Sequence, residues 1–401
     1  MNFRELFYRH IAQTSSEPLA IEIEKAEGIY LYSPDGKSYM DMISGISVSN
    51  VGHCHPKVVK AIQEQLTKYM HILVYGEMIQ SPQVLLAQRL ASLLPDNLSA
   101  VYFVNSGTEA IEGAIKLAKR FTGRTEIISC FNAYHGSTHG AMSLMGNDNY
   151  TRAFRPLLPN CNRIRFGNLD DIEQITNATA AFVVEVVQGE AGVRFADNTY
   201  WQQLRKHCNQ TGTLLILDEI QTGFGRTGTL FAFEQTGINP DILVLAKAMG
   251  GGMPIGAFIS SNEIMHVLTY NPVLGHMTTF GGHPVCCAAA LASLDIIEGE
   301  HLYKTVDNKA KLFKSLLKNL PYLKEFRQQG LMMALEWEDT QLNFNIIQHC
   351  IEQGVLTDWF LFCDTAMRIA PPLIISEKEI KQVCNLIYNV ITSLVEQSYE
   401  L

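Results

Sequence analysis

The chain has 401 residues, 47% of them hydrophobic and 18% charged, with a formal net charge of -9. That length points to two or three domains with ample material for a large core. The acidic balance argues against a general nucleic-acid or anionic-membrane surface, because phosphates would be repelled, but it leaves room for a local basic pocket for a small anion.

No repeats or low-complexity segments occur. The stretch MNFRELFYRHIAQTSSEP at the start has no apolar h-region, so no secretory signal is expected. Next, IEIEKAEGIYLYSPDGKSYMDM alternates apolar and polar residues, which predicts short antiparallel strands with a turn at Pro34-Asp35-Gly36. From Pro56 the pattern becomes helical, beginning with HPKVVKAIQEQLTKY. The middle of the chain alternates helices with short apolar strands: VYFV (101–104), IISCF (127–131), AAFVVEV (180–186), LLIL (214–217), ILVLA (242–246) and GAFIS (256–260). Near-continuous apolar runs predict strands covered on both faces, hence a mostly parallel α/β sheet flanked by helices. After Ile297 the chain is helix-rich and amphipathic, with apolar segments near MMALEW and MRIAPPLII. The expected division is a large domain over 55–296 and a smaller α+β domain built from both termini, 1–54 and 297–401. No run of roughly 18 or more apolar residues occurs, so no membrane span is expected.

Nine cysteines fall at 54, 130, 161, 208, 286, 287, 350, 363 and 384, without a CxxC pair. Buried free thiols in a reducing cytoplasm account for this odd number better than disulfides or zinc. His53-Cys54-His55 looks metal-like, but adjacent residues ahead of Pro56 cannot easily converge on one ion.

The informative polar residues sit where strands end. Ligands of open parallel sheets bind outside the carboxyl ends of the strands. VYFV runs into Asn105-Ser106-Gly107-Thr108-Glu109, and IISCF into Asn132-Ala133-Tyr134-His135-Gly136. LLIL runs into Asp218-Glu219-Ile220-Gln221, and ILVLA into Lys247 and three glycines. Ser106-Gly107-Thr108 opens a helix, so it is either an ordinary N-cap or a phosphate site that uses free N–H groups and the helix dipole. It matches neither a Walker motif nor a GxGxxG fingerprint. Asp218 ends an apolar strand and needs a cation, either a structural salt-bridge partner or a protonated ring nitrogen. Lys247 is the only charge between Asp241 and Glu263. In that apolar context its pKa should fall, which makes a neutral amine available for Schiff-base formation.

These residues lie in strings that resemble the class-III, fold-type-I aminotransferases, close to the acetylornithine, ornithine and 4-aminobutyrate group. The strings are NSGTEAIEGAIKLAKR, EVVQGEAGV, LLILDEIQTGFGRTG, PDILVLAKAMGGGMPIGA, TTFGGHPVCCAAALASL and MRIAPPL, spanning Gly28 to Pro372. The resemblance implies pyridoxal 5'-phosphate as cofactor, with Lys247 as its Schiff-base lysine and Asp218 at the pyridine nitrogen. It further implies Ser106, Gly107 and Thr108 at the phosphate, Tyr134 beside His135 on one ring face, Ile220 on the other, and Gln221 at the ring hydroxyl. Thr279 would reach the cofactor phosphate of a neighbouring subunit, with Thr278 lining the same entrance, so a homodimer with shared sites is implied.

Glu190, in QGEAG, resembles the family's gate glutamate, and Arg368, in MRIAPPL, the arginine it pairs with. The pair is either a gate that frees the arginine for a substrate carboxylate or a permanent structural ion pair. One departure bears on substrate. The family string FHGRT or FWGRT reads YHGST here, so Ser137 replaces an arginine that holds the donor's distal carboxylate. Losing such a contact costs about 2 to 5 kcal/mol. Arg152, Arg155, Arg163 and Arg165 are candidates to replace it. Val186 replaces a proline, and Ile46 matches the acetylornithine and 4-aminobutyrate enzymes rather than the ornithine ones. The expected activity is transfer of an amino group from an ω-amino or α-amino donor, acetylornithine- or ornithine-like, to a keto acid, 2-oxoglutarate by resemblance. The alternatives are an aminomutase of the glutamate-1-semialdehyde kind and a non-enzymatic binding protein on the same scaffold.

Overall fold

Seven strands form the central sheet of the computed structural model, which describes residues 2–399 and side chains through Leu394. Their order is Ala100–Val104, Gly256–Ser260, Ile242–Leu245, Leu214–Asp218, Thr179–Glu185, Glu126–Cys130 and Cys161–Ile164. All pairings are parallel except those of Gly256–Ser260, which runs antiparallel to both neighbours. The apolar runs are continuous because both faces are covered. Leu215, Leu217, Val184 and Leu243 point into one core, while Ile216, Val183, Ile242 and Val244 point into the other. Six of the seven strands match the expected runs. The seventh, Cys161–Ile164, reads CNRI and carries no apolar pattern, because it lies at the sheet edge.

The helix Gly107–Thr122 buries Ala110, Ile111, Ala114, Ile115 and Ala118, spaced three and four apart, against one sheet face. Ser106 caps its start, and Gly123, at φ 68°, ends it in the left-handed conformation that glycine adopts readily. The expected N-terminal strands form at Lys25–Glu27, Tyr30–Tyr32 and Ser38–Asp41. Their last strand pairs in parallel with Val355–Leu356, so the two ends of the chain share one sheet. A second antiparallel sheet orders Glu325–Gln329, Met332–Glu336, Cys363–Ile369 and Asp358–Phe360. It pairs MMALE directly with MRI, Met333 opposite Ile369. All nine cysteines are free. His53 lies 2.7 Å from the Asp41 carboxylate. Among the described residues no helix is long and apolar enough to cross a membrane.

Arg226 ties these parts together. It is fully buried and donates to the carbonyls of Leu331 and Pro371 and to the Asn50 side chain. Burial pushes its pKa down to about 9, with Asp41 opposing. Arg226→Leu strands these acceptors without partners and should cost about 3 kcal/mol of stability. A thermal unfolding midpoint equal to that of the parent would contradict this.

Candidate active site

Five strand ends converge on one cavity of about 490 Å³. Its wall holds Ser106, Gly107, Thr108, Tyr134, His135, Ser137, Asp218, Ile220, Gln221 and Lys247, the residues expected from the strand ends. Parallel strands produce this convergence, because their carboxyl ends all emerge at the same edge.

Lys247 begins a short 3-10 turn, Lys247–Gly250, directly after the strand Ile242–Leu245. Its φ of 50° lies in the left-handed region, which a long side chain rarely adopts. Such strain persists only where the surroundings fix it, and that is common at functional positions. Burial lowers the amine's pKa to about 8, against the pull of Glu190 and with the push of Arg368. The amine is therefore partly neutral near neutral pH and able to act as a nucleophile.

Asp218 is 4% exposed. Its carboxylate lies 2.7 Å from His135 Nδ1 and accepts from the Ile220 N–H at 2.9 Å. Burial depresses His135, but the hydrogen bond and charge of Asp218 outweigh it and raise the imidazole's pKa. The other ring nitrogen, Nε2, is buried without a partner. Beside them stands Glu185, which sequence reading missed although it ends an apolar strand as Asp218 does. Its carboxylate accepts from the N–H groups of Tyr134 and Gly189. Burial pushes it up to about 8, with His135 opposing and Asp218 reinforcing. Asp358, discussed below, was missed as well.

The opposite end of the cavity suits an anion. Ser106 Oγ accepts from the Glu109 N–H, so the serine is the helix cap. The N–H groups of Gly107 and Thr108 lie in the first turn and have no intrahelical acceptor. A Cβ at Gly107 would approach Ile220 to 2.7 Å, and one at Gly136 would strike Thr108. Both glycines thus let the walls close on a flat guest. Thr108 Oγ1 is 2.6 Å from Thr138 Oγ1. Val48 also lines the cavity, brought there by left-handed backbone at Gly45, Ile46 and Ser47.

Four expected residues do not line it. Glu190 and Arg368 form a bidentate pair at 3.0 and 2.9 Å behind the wall, each almost wholly buried. Gln221, which does face the cavity, donates to Glu190 at 3.1 Å. Burial raises Glu190 but the Arg368 charge wins, holding it at about 2. Arg368 Nε also lies 2.9 Å from Asp358, whose carboxyl burial pushes up to about 6. Thr278 is set back, bonded to Asn105 at 3.2 Å, and Thr279 lies on an exposed segment. Of the candidate replacement arginines, Arg155 and Arg163 pair with Asp148 and Arg165 with Asp171. None of these three, nor Arg152, lines the cavity.

A free amine, a buried carboxylate across from it and an open helix N-terminus form a donor set that fits pyridoxal phosphate. Residues 11–391 match the family described as aminotransferase class-III. The chain belongs to the class-III aminotransferases. It is 40% identical to the acetylornithine aminotransferase of Methanocaldococcus jannaschii, over 94% of each chain. Among solved structures it resembles the acetylornithine aminotransferase of Elizabethkingia anophelis, with TM-score 0.86, 32% identity and 98% of both chains covered. It also resembles the ornithine aminotransferase of Toxoplasma gondii, with TM-score 0.91, 28% identity, and 98% and 95% covered. This class-III aminotransferase is a transaminase dependent on pyridoxal phosphate, with the fold-type-I architecture. Its Lys247 amine is protonated below about pH 8 and neutral above. Uptake of pyridoxal phosphate by the apoenzyme should therefore accelerate as pH rises through that value. A stopped-flow rate that is flat or falling there would contradict the lowered pKa.

Proposed function

We propose that the enzyme takes an amino group from a donor carrying a primary amine at a chain end, the feature that acetylornithine and ornithine share at their reacting end. It passes that group to a keto acid, 2-oxoglutarate, in two half-reactions at one site. The observation that carries this reading is the Glu190–Arg368 pair, a buried guanidinium neutralised by a carboxylate one residue behind the cavity wall. One pocket must accept an amine in one half-reaction and a carboxylate in the other. A charge that can be masked and unmasked meets both needs. The relatives named acetylornithine aminotransferase support the donor class.

When bound, pyridoxal phosphate withdraws electrons from the donor carbon. Lys247 would hold the cofactor through its amine and, when free of it, would serve as the base that takes the proton of the donor carbon and returns it. A pKa of about 8 suits an amine that must both take and give that proton. Asp218 would keep the pyridine nitrogen charged, with His135 orienting Asp218. Gly107 and Thr108 would bind the phosphate, with Ser106 capping their helix. Tyr134 and Ile220 would cover the ring faces, and Gln221 would meet the ring hydroxyl.

The working unit of this reading is a homodimer. Ile79 is 95% exposed, and Val273, Leu274, Met277 and Phe280 surround Thr279 with exposed apolar surface. Such a patch on a lone chain marks an interface. It would carry Thr278 and Thr279 to the partner's site. The free, mostly buried cysteines support work in the reducing cytoplasm.

A donor added without keto acid should bleach the cofactor's visible band once and then stop, with 2-oxoglutarate restoring turnover. Sustained turnover without acceptor would point to an aminomutase instead. Arg368→Ala should raise KM for 2-oxoglutarate by about 100-fold. An unchanged KM would sink the gate.

A further inference from the structure

A second hollow adjoins the cofactor cavity and shares two wall residues with it, Tyr134 and Ser137. It encloses about 600 Å³. Its wall is apolar: Met142 and Met145 at the base, with Phe154, Leu361 and the ring of Tyr150 around the opening. Thr14 adds one hydroxyl to the wall, and the other polar groups around it are engaged. Tyr150 donates its hydroxyl to the Leu361 carbonyl at 2.9 Å, and its ring stands edge-on to Phe362 at 5.3 Å. His139, the only ionisable side chain of the wall besides the two tyrosines, has Nε2 3.0 Å from the Phe154 carbonyl. Of the arginines near in sequence, Arg155 and Arg163 are tied to Asp148, and Arg152 does not line the hollow. At the threshold stands a pair of neutral hydroxyls, Tyr134 Oη and Ser137 Oγ, 3.0 Å apart.

We propose that this hollow receives the far end of the amine donor and that this end is an uncharged hydrocarbon chain or ring. The inference rests on the transaminase reading and narrows its donor. A donor whose amine reaches Lys247 can extend past Tyr134 and Ser137 into the hollow, because these residues belong to both spaces. A carboxylate carried into the hollow would meet methionine, phenylalanine and leucine and lose its water without a partner. An alkyl or aryl group would exchange water for contact with the same atoms. Exposed Phe154, Leu361 and Tyr150 gain cover when such a group is seated.

The test uses holoenzyme with 2-oxoglutarate and two matched donor series. Butylamine and hexylamine form one series, 4-aminobutyrate and 6-aminohexanoate the other, with acetylornithine as the relatives' donor. Within the alkyl series kcat/KM should rise about 4-fold per methylene. Hexylamine should exceed 6-aminohexanoate and acetylornithine by about 10-fold or more. Ser137→Arg should reverse that order by supplying a cation at the threshold. If acetylornithine or the acidic series is preferred by the parent enzyme, the inference is overturned and the transaminase assignment stands. If no amine of either series bleaches the cofactor, the donor reading beneath it falls too. Should the arginine variant fail to fold, the parent's order of preference still decides.

Discussion

Desolvation at the carboxyl edge of the sheet is the constraint from which the rest of the site follows. Glu185, Glu190, Asp218 and Lys247 are all drawn away from bulk water within one small region. Burial alone would neutralise each of them. What each becomes depends on its neighbour. Glu190 has the Arg368 guanidinium and is held at about 2, while burial, reinforced by Asp218, lifts Glu185 to about 8 against His135 and two backbone N–H groups. Lys247 has no carboxylate in contact, so its amine falls to about 8. The same burial thus yields a permanent anion, a proton-holding carboxyl and a reactive amine.

The sheet supplies the geometry for this. Neighbouring parallel strands deliver Glu185, Asp218 and the Lys247 turn to one edge. The antiparallel strand Gly256–Ser260 lies between that turn's strand and the strand leading to the helix Gly107–Thr122. A Cβ at Gly256 would press the Ser106 carbonyl to 2.5 Å, so glycine here lets the helix start close to the cavity. The second sheet brings Arg368 from far along the chain, opposite Asp358 in register, to meet Glu190 just beyond the central-sheet strand Thr179–Glu185. The buried pair therefore joins separately encoded parts of the fold. Breaking it costs more than its net stabilisation suggests, because either partner alone is a buried charge.

Much of this was legible in the sequence, for reasons that are themselves physical. A strand covered on both faces must be apolar throughout, so AAFVVE, LLIL and ILVL announce themselves, and a charge directly after such a run is costly enough to signify function. Asp218 and Lys247 were found that way, and Glu185 could have been. Cys161–Ile164 was hidden because an edge strand has one relaxed side and needs no apolar run. Asp358 was hidden because its role comes from cross-strand register with Arg368, which local pattern does not encode. Thr278 and Thr279 were named by resemblance alone. Within one chain they stand apart from the cavity, on a surface with exposed apolar residues.

The central claim is that Lys247, and no other lysine, holds the cofactor. Borohydride reduction of the holoenzyme fixes the cofactor to whichever amine carries it, and peptide mass spectrometry then reads the position. The account predicts one phosphopyridoxyl group per chain, on the peptide containing Lys247. A label on another lysine, or a holoenzyme whose Lys247 peptide remains unmodified, would contradict it.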